Sequence, residues 1–321
     1  MKEVIKPILI NQPIIIFDAS CLLYIHGANS NFQRTIRDHI EGTLGNLKSS
    51  YYVGFIDGRK NFRYDIATIA PYKGNRDKSN ILEKFPHFYE VKQELLTAYK
   101  FQMVDGIESD DLVGILNERL RVTERATLIL AKESDEPHLD CTFYEVQLEA
   151  TSFNCVVASI DKDLCQLTGV HYNLYKHSIL LSTDLTSFIE LNLKRNKVIG
   201  CGFKFFYAQI LMGDIADNIK GLEKCGPVKA YELLKDCTTK EECEKVVIDA
   251  FIAKESEFME KEVGIYKDIF NNNPDIKGLE LAALVKAEAL KKYNENFQLI
   301  YLLRRNPSIK EIKVHQYNFT R

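Results

Sequence analysis

No stretch of this 321-residue chain is apolar for the ~20 residues that a bilayer span requires. That excludes a transmembrane helix. The N-terminal MKEVIKPILINQPIIIFD is interrupted by Asn11, Gln12 and Pro13, and no small-residue cleavage site follows, so no signal peptide is expected. None of the eight cysteines stands in a CxxC pair, which argues against a zinc ribbon or a disulfide framework and makes a reducing cytoplasm the expected compartment. The seven histidines are dispersed, with no HExxH. No nucleophile motif of a phosphatase is evident, and no low-complexity tract interrupts the chain. A net charge of −3 shows no basic excess, although net charge conceals how charge is distributed.

What is present, 45% hydrophobic and 27% charged residues, is the composition of a globular protein. PIIIF (13–17), YYVGFI (51–56) and CVVASI (155–160) are short, apolar and β-branched, as strands buried on both faces are. Amphipathic stretches lie between them, near 32–48 and 109–121. The pattern predicts an α/β domain over 1–200 with a mainly parallel central sheet flanked by helices. From 201 to 321 the spacing turns helical, with segments expected at 203–212, 227–236, 239–252, 254–271 and 279–296 and a β-like tail, EIKVHQY. Residues 70–105 are more polar than a crossover connection needs to be. Residues 122–153 read as a long, weakly patterned surface excursion.

Acids mark the ends of the predicted strands. Asp18 follows IIIF, Asp57 follows VGFI, and Asp161 with Asp163 follow VVASI. Sites in open parallel sheets form just beyond the carboxyl ends of strands. GIESDDLVGIL adds Glu108, Asp110 and Asp111, and GDIADN adds Asp214 and Asp217, which share a face if that segment is helical. Each acid alone is explained as a cap or turn residue. Nine together could not stay ionised without counter-cations, and all-oxygen ligands select Mg²⁺ first and Mn²⁺ second. Two such ions about 4 Å apart suit in-line attack of water on phosphorus.

Basic residues flank this set: Arg59, Lys60 and Arg63 in GRKNFR, then Tyr72, Lys73, Arg76 and Lys78 in APYKGNRDK. Such cations could grip phosphates, and Tyr72 could stack on a base. ILMGDIADNIKGLEKCGPVKAYELL (210–234) reads as helix, glycine-bearing loop, helix. Gly213, Gly221 and Gly226 would permit close backbone approach to a phosphate chain, and Lys220, Lys224 and Lys229 surround them.

In their order, the Asp after the first strand, the Asp after the second, YKGNR, ESDD, DKD…QL and MGDIADNIKG…GPVKAYELL resemble the 5′-nucleases over about residues 13–236. That family includes the bacteriophage flap endonucleases and the 5′-nuclease domain of bacterial DNA polymerase I, and the stand-alone phage enzymes are the better match. The resemblance implies a nuclease core with a helical arch over 70–105 and a helix–three-turn–helix near 203–235. It implies that Glu108, Asp110, Asp111, Asp161 and Asp163 are inner ligands of a metal pair. Asp18 and Asp57 would be ligands or water-mediated holders, and Asp214 and Asp217 would complete the second site. Lys73 and Arg76 would polarise the scissile phosphate, and Tyr72 would stack beside it. Arg63, Lys78, Gly213, Lys220, Gly221, Lys224, Gly226 and Lys229 would contact DNA.

Implied cofactors are two Mg²⁺ ions, replaceable by Mn²⁺, and a K⁺ ion on loop carbonyls. Implied partners are DNA with 5′ flaps or 5′ ends, RNA–DNA primer junctions, and a single-strand-binding or other replication protein. A monomer is expected, in the host cytoplasm if the source is a phage. Two departures stand out: Lys224 and Cys225 occupy positions where the family has glycine and a branched apolar residue, and 122–153 has no counterpart. The rival readings are a metal-dependent ribonuclease on structured RNA and a non-catalytic binder of branched DNA.

Overall fold

The computed structural model describes the backbone of residues 3–6, 9–76, 80–120, 122–123, 126–132, 142–148, 151–265, 274–305 and 312–319, and side chains within 12–76, 80–120, 154–258, 282–305 and 312–319. Contacts divide the chain into two compact units. The first comprises Met1–Asn61, Asp77–Thr186 and Leu302–Arg321; the second comprises Phe62–Arg76 and Ser187–Tyr301. These bounds differ from the expected division at residue 200. The C-terminal tail adds a strand to the first unit, with His315 and Gln316 opposite Tyr52 and Tyr51.

The first unit is built on a mainly parallel sheet. Strand Leu9–Asp18 lies between Tyr51–Asn61 and Thr151–Ser159, parallel to both. Gly169–Asn173 continues the parallel set, and Ile179–Ser182 closes that edge antiparallel. Because side chains alternate along a strand, the sheet has two cores. Ile15, Phe17, Tyr52, Ile56 and Val156 pack on one face with helices Ser20–His26 (Leu22, Leu23), Phe32–Asn46 (Ile36, Ile40, Leu44) and Phe88–Thr97 (Val91, Leu95). Ile16, Val53, Phe55 and Val157 pack on the other with helix Ser109–Leu120, through Leu112, Val113, Ile115 and Leu116.

Two sequence expectations are corrected here. Residues 88–106 belong to the core rather than to an arch. Val91 and Leu95, four apart on one helix face, are buried, and the chain then returns as strand Gln102–Gly106, parallel to Tyr51–Asn61. This is a crossover connection whose exposed faces are polar, and that polarity masked it. The excursion 122–153 contains regular strands: Ala126–Lys132 pairs antiparallel with Thr142–Leu148 and with Glu3–Lys6.

The second unit is mostly helical. Helix Gly202–Met212 is apolar nearly all round and buries Phe203, Phe205, Phe206, Ile210 and Leu211, as a central helix must. It packs against Pro227–Leu234, Lys240–Ile265 and Pro274–Ile300. The helices expected at 239–252 and 254–271 run as one over Lys240–Ile265, since no Gly or Pro interrupts residues 240–262; residues 266–271 lie outside the described ones. A hairpin, Phe188–Asn192 with Lys197–Cys201, precedes the helices.

Candidate functional site

Sheet periodicity assembles the first part of the site. Asp18 lies two residues beyond Ile16, Asp57 two beyond Phe55, and Ser159 two beyond Val157. By the alternation of strands, all three share the face that carries helix Ser109–Leu120. Asp18 and Ser159 end their strands, Asp57 lies just past the last pairing of Tyr51–Asn61 with Leu9–Asp18, and the first turn of that helix meets them. The Ser109 amide donates to Asp57 Oδ1 at 2.8 Å. The Ser109 hydroxyl lies 3.5 Å from Asp18 Oδ1 and 3.0 Å from the Ser20 hydroxyl, which accepts from the Asp57 amide at 2.9 Å. Ser159 Oγ donates to Asp18 Oδ2 at 2.7 Å and accepts from the Asp161 amide at 2.8 Å. Asp161 Oδ1 in turn accepts from the Asp163 amide at 2.8 Å, while the Asp163 carboxylate sits 3.4 Å from Lys162 Nζ.

Electrostatics tie four of these acids together. Burial, helped by the charges of Asp161 and Asp57 and opposed by the Ser159 hydrogen bond, pushes the Asp18 carboxyl up to about 7. Burial, then the charges of Asp18, Asp161, Asp57 and Glu108, holds Asp110 well above the usual carboxylate range. A carboxylate cluster raised by desolvation and mutual repulsion is the donor set a hard cation would neutralise, and its oxygens are carboxylate and hydroxyl. The residues therefore fit a divalent ion of the Mg²⁺ type. Among the described residues no three acids stand ready-closed around one point; like charges hold themselves apart.

Asp111 has a different task. It is fully buried, and its Oδ1 accepts the Leu303 amide at 2.9 Å, so it anchors the returning chain. Glu108 is buried at the helix entrance, within electrostatic reach of Asp110.

In the second unit Asp214 and Asp217 do not share a helical face. Gly213–Asp214 pairs antiparallel with Ile219–Lys220, and the residues between form a turn in which Asp214 Oδ1 accepts the Ala216 amide at 2.7 Å. Asp217 is held by Tyr72, whose hydroxyl donates at 2.9 Å, by the Arg76 guanidinium, and by Lys73 at 3.9 Å. Arg76 Nε also donates to Ala216 O at 3.1 Å, and the Lys73 amide to Asp217 O at 2.8 Å. The segment 71–76 is thus sewn to the turn. Tyr72 is buried edge-to-face against Tyr64, which corrects its expected role as a surface stacking aromatic.

Arg63 is also corrected. It is 1% exposed, with Nε donating to Leu299 O at 2.9 Å and the guanidinium to Tyr301 O at 3.0 Å, so it is structural. Gly213 and Gly221 are glycine for an internal reason: a Cβ on Gly213 would meet Gly221 N at 2.3 Å. Gly226 caps helix Pro227–Leu234, and Lys220, Lys224 and Lys229 are exposed beside it. Lys224 stands at φ +60°, the left-handed conformation a glycine adopts freely, and Cys225 is buried in the apolar position. Lys78 lies outside the described residues.

Sequence reasoning missed Ser20, Ser159 and Lys92. Ser159 carried a signal, since it fills the inward period-2 position between Val157 and Asp161. Lys92, on helix Phe88–Thr97, donates to Asp57 O at 3.4 Å and brings a cation to the rim of the acid cluster. Only tertiary packing shows it there.

No protein-family model matches the chain. It is 26% identical over 242 residues to a 5′-3′ exonuclease of Buchnera aphidicola subsp. Acyrthosiphon pisum, covering 70% of each chain. It is 27% identical over 195 residues to DNA polymerase I of Bacillus caldotenax, covering 59% of this chain and 18% of that one. Its fold is similar to that of T5 5′-exonuclease with bound zinc, with a TM-score of 0.53 at 15% identity over 90% of this chain and 89% of that one. It is likewise similar to T5 D15 protein co-crystallised with metal ions, with a TM-score of 0.52 at 16% identity over 89% and 88%. The chain is thus similar in sequence to 5′-3′ exonucleases and in fold to T5 5′-exonuclease.

Proposed function

We propose that the chain is a structure-specific 5′-nuclease that hydrolyses phosphodiesters near junctions of single- and double-stranded DNA. 5′ flaps, 5′ ends and RNA primers on DNA are its substrates. The observation that carries this reading is the convergence of Asp18, Asp57, Asp110 and Asp161 at one rim of a parallel sheet, with burial and mutual charge raising Asp18 and Asp110. These four, with Glu108 and Asp163 beside them, would hold two Mg²⁺ ions, with Mn²⁺ as a substitute. Such ions activate water and neutralise charge on the phosphoryl and leaving oxygens.

The chain's own residues orient the acids and the substrate. Ser109 and Ser20 fix Asp57. Lys92, at the rim, and Lys73 with Arg76, on their braced loop, engage phosphates. Exposed Lys220, Lys224 and Lys229 grip the duplex backbone, so recognition is of shape and charge rather than base sequence. A K⁺ ion at the 213–226 loop, a single-strand-binding or other replication protein as partner, a monomeric state and a cytoplasmic setting belong to the same proposal. Among the described residues no helix is long and apolar enough to cross a membrane.

The test is product sizing on a 5′-labelled flap substrate. Release of an intact flap with Mg²⁺ and none with Ca²⁺ is expected. Equal cutting of junction-free single-stranded RNA would overturn the assignment.

A further inference from the structure

We infer that Ser159 is a positioning residue that sets Asp18 and Asp161 relative to each other for divalent-ion binding; the inference rests on the nuclease reading above. Ser159 ends strand Thr151–Ser159, is 7% exposed, and sits between two acids on neighbouring chain segments. A hydroxyl carries one proton. The Asp161 amide can only donate, so Ser159 accepts from it at 2.8 Å and gives its proton to Asp18 Oδ2 at 2.7 Å. With Asp18 ionised both directions are determined, and one oxygen atom couples two acids.

A turn-forming serine commonly accepts the amide two residues on. That accounts for the Asp161 bond and leaves the one to Asp18, 141 residues away, unexplained. The consequence for Asp18 is specific. Ser159 holds Oδ2, while the Ser109 hydroxyl lies 3.5 Å from Oδ1 and the Ser20 backbone also hydrogen-bonds the carboxylate, so the orientation of the Asp18 carboxylate is set from several sides. The hydrogen bond also favours the ionised carboxylate, opposing the burial that raises it. For Asp161, anchoring the amide fixes the turn that places its carboxylate and, through the 2.8 Å bond from the Asp163 amide, the start of the next turn. Ligand-supporting groups of this kind typically matter 10–100-fold in metal affinity.

The experiment compares full-length wild type with Ser159→Ala, Ser159→Cys and Ser159→Thr. Mn²⁺ binding without DNA is read by electron paramagnetic resonance, flap cleavage is followed against Mn²⁺ concentration, and melting is measured in EDTA. Alanine and cysteine, lacking a strong donor, are expected to bind Mn²⁺ about 10–100-fold more weakly. Cleavage by both should recover as Mn²⁺ is raised, and threonine should stay within about threefold of wild type. The cysteine variant keeps the comparison available if alanine compromises the fold. Wild-type Mn²⁺ affinity in the alanine and cysteine variants would overturn the inference, as would equal losses in all three, which would signify packing alone. A wild type that neither binds Mn²⁺ nor cuts flaps would instead remove the nuclease reading itself.

Discussion

The Leu303 amide donates to Asp111 Oδ1 at 2.9 Å, while the adjoining Asp110 lies within electrostatic reach of Asp18, Asp57 and Asp161. Successive helical residues point about 100° apart, since a turn takes 3.6 residues. Neighbouring aspartates therefore face different surroundings. Asp111→Asn keeps an acceptor oxygen and should retain both fold and activity. Asp111→Ala leaves a buried amide unpaired, at a cost of ~1–3 kcal/mol in urea unfolding. Asp110→Asn should unfold no more easily than wild type yet lose at least the ~10–100-fold in turnover that removing a ligand's mere support costs.

Arg63 and Lys229 separate structure from binding in the same way. Arg63→Ala abandons the carbonyls of Leu299 and Tyr301. We expect a loss of ~2–4 kcal/mol in denaturant unfolding, with junction affinity unchanged for the folded fraction. Exposed Lys229→Ala should leave stability alone and weaken DNA binding evenly across sequences. Its slope of log affinity against log salt should fall by about 1.

Lys224 at φ +60° keeps a side chain where the backbone prefers none. That conformation costs an L-residue roughly 1–2 kcal/mol, partly offset by the greater freedom of glycine in the unfolded chain. Lys224→Gly should raise the melting midpoint slightly and weaken duplex binding at low salt. A lower midpoint would show that the lysine's own contacts outweigh the strain.

Buried titratable groups set the pH profile. Burial pushes His171 down to about 4 against an ordinary value of 6.5, so its neutral ring, donating to Leu167 O at 2.9 Å, adds stability above pH 6.5 that is lost as pH falls toward 4. Asp18, raised to about 7 in the metal-free protein, acts in the opposite sense. Its contribution is full below 3.8 and is lost as pH rises through 7. In EDTA, Asp18→Asn should therefore steepen the fall of the melting midpoint between pH 6.5 and 4, and His171→Asn should flatten it.

Much of the plan was legible because period and composition are local. The runs before Asp18 and Asp57 read as strands; Asp18 ends its strand, whereas strand Tyr51–Asn61 continues past Asp57. Helices at 202–212 and 227–234 followed from apolar spacing and from Pro227 at a first turn. The crossover 88–106 escaped because a helix touching the sheet through Val91 and Leu95 exposes mostly polar residues. Asp214 and Asp217 read as a helical pair, yet Gly213 turns the chain at φ +69° into a two-residue ladder.

The amino-acid order alone determined that acids follow apolar β-branched runs, that no CxxC or HExxH motif accompanies them, and that a glycine-bearing helical pair follows. Which acids lie together was decided only by tertiary structure. A side chain's direction depends on strand parity and on what the opposite chain segment offers. Asp111 is taken by Leu303, and Asp217 by Tyr72, Lys73 and Arg76, while Ser159 joins Asp18 to Asp161 across 141 residues. Such pairings arise from burial, which leaves few polar groups without a partner, and one-dimensional spacing carries no record of them.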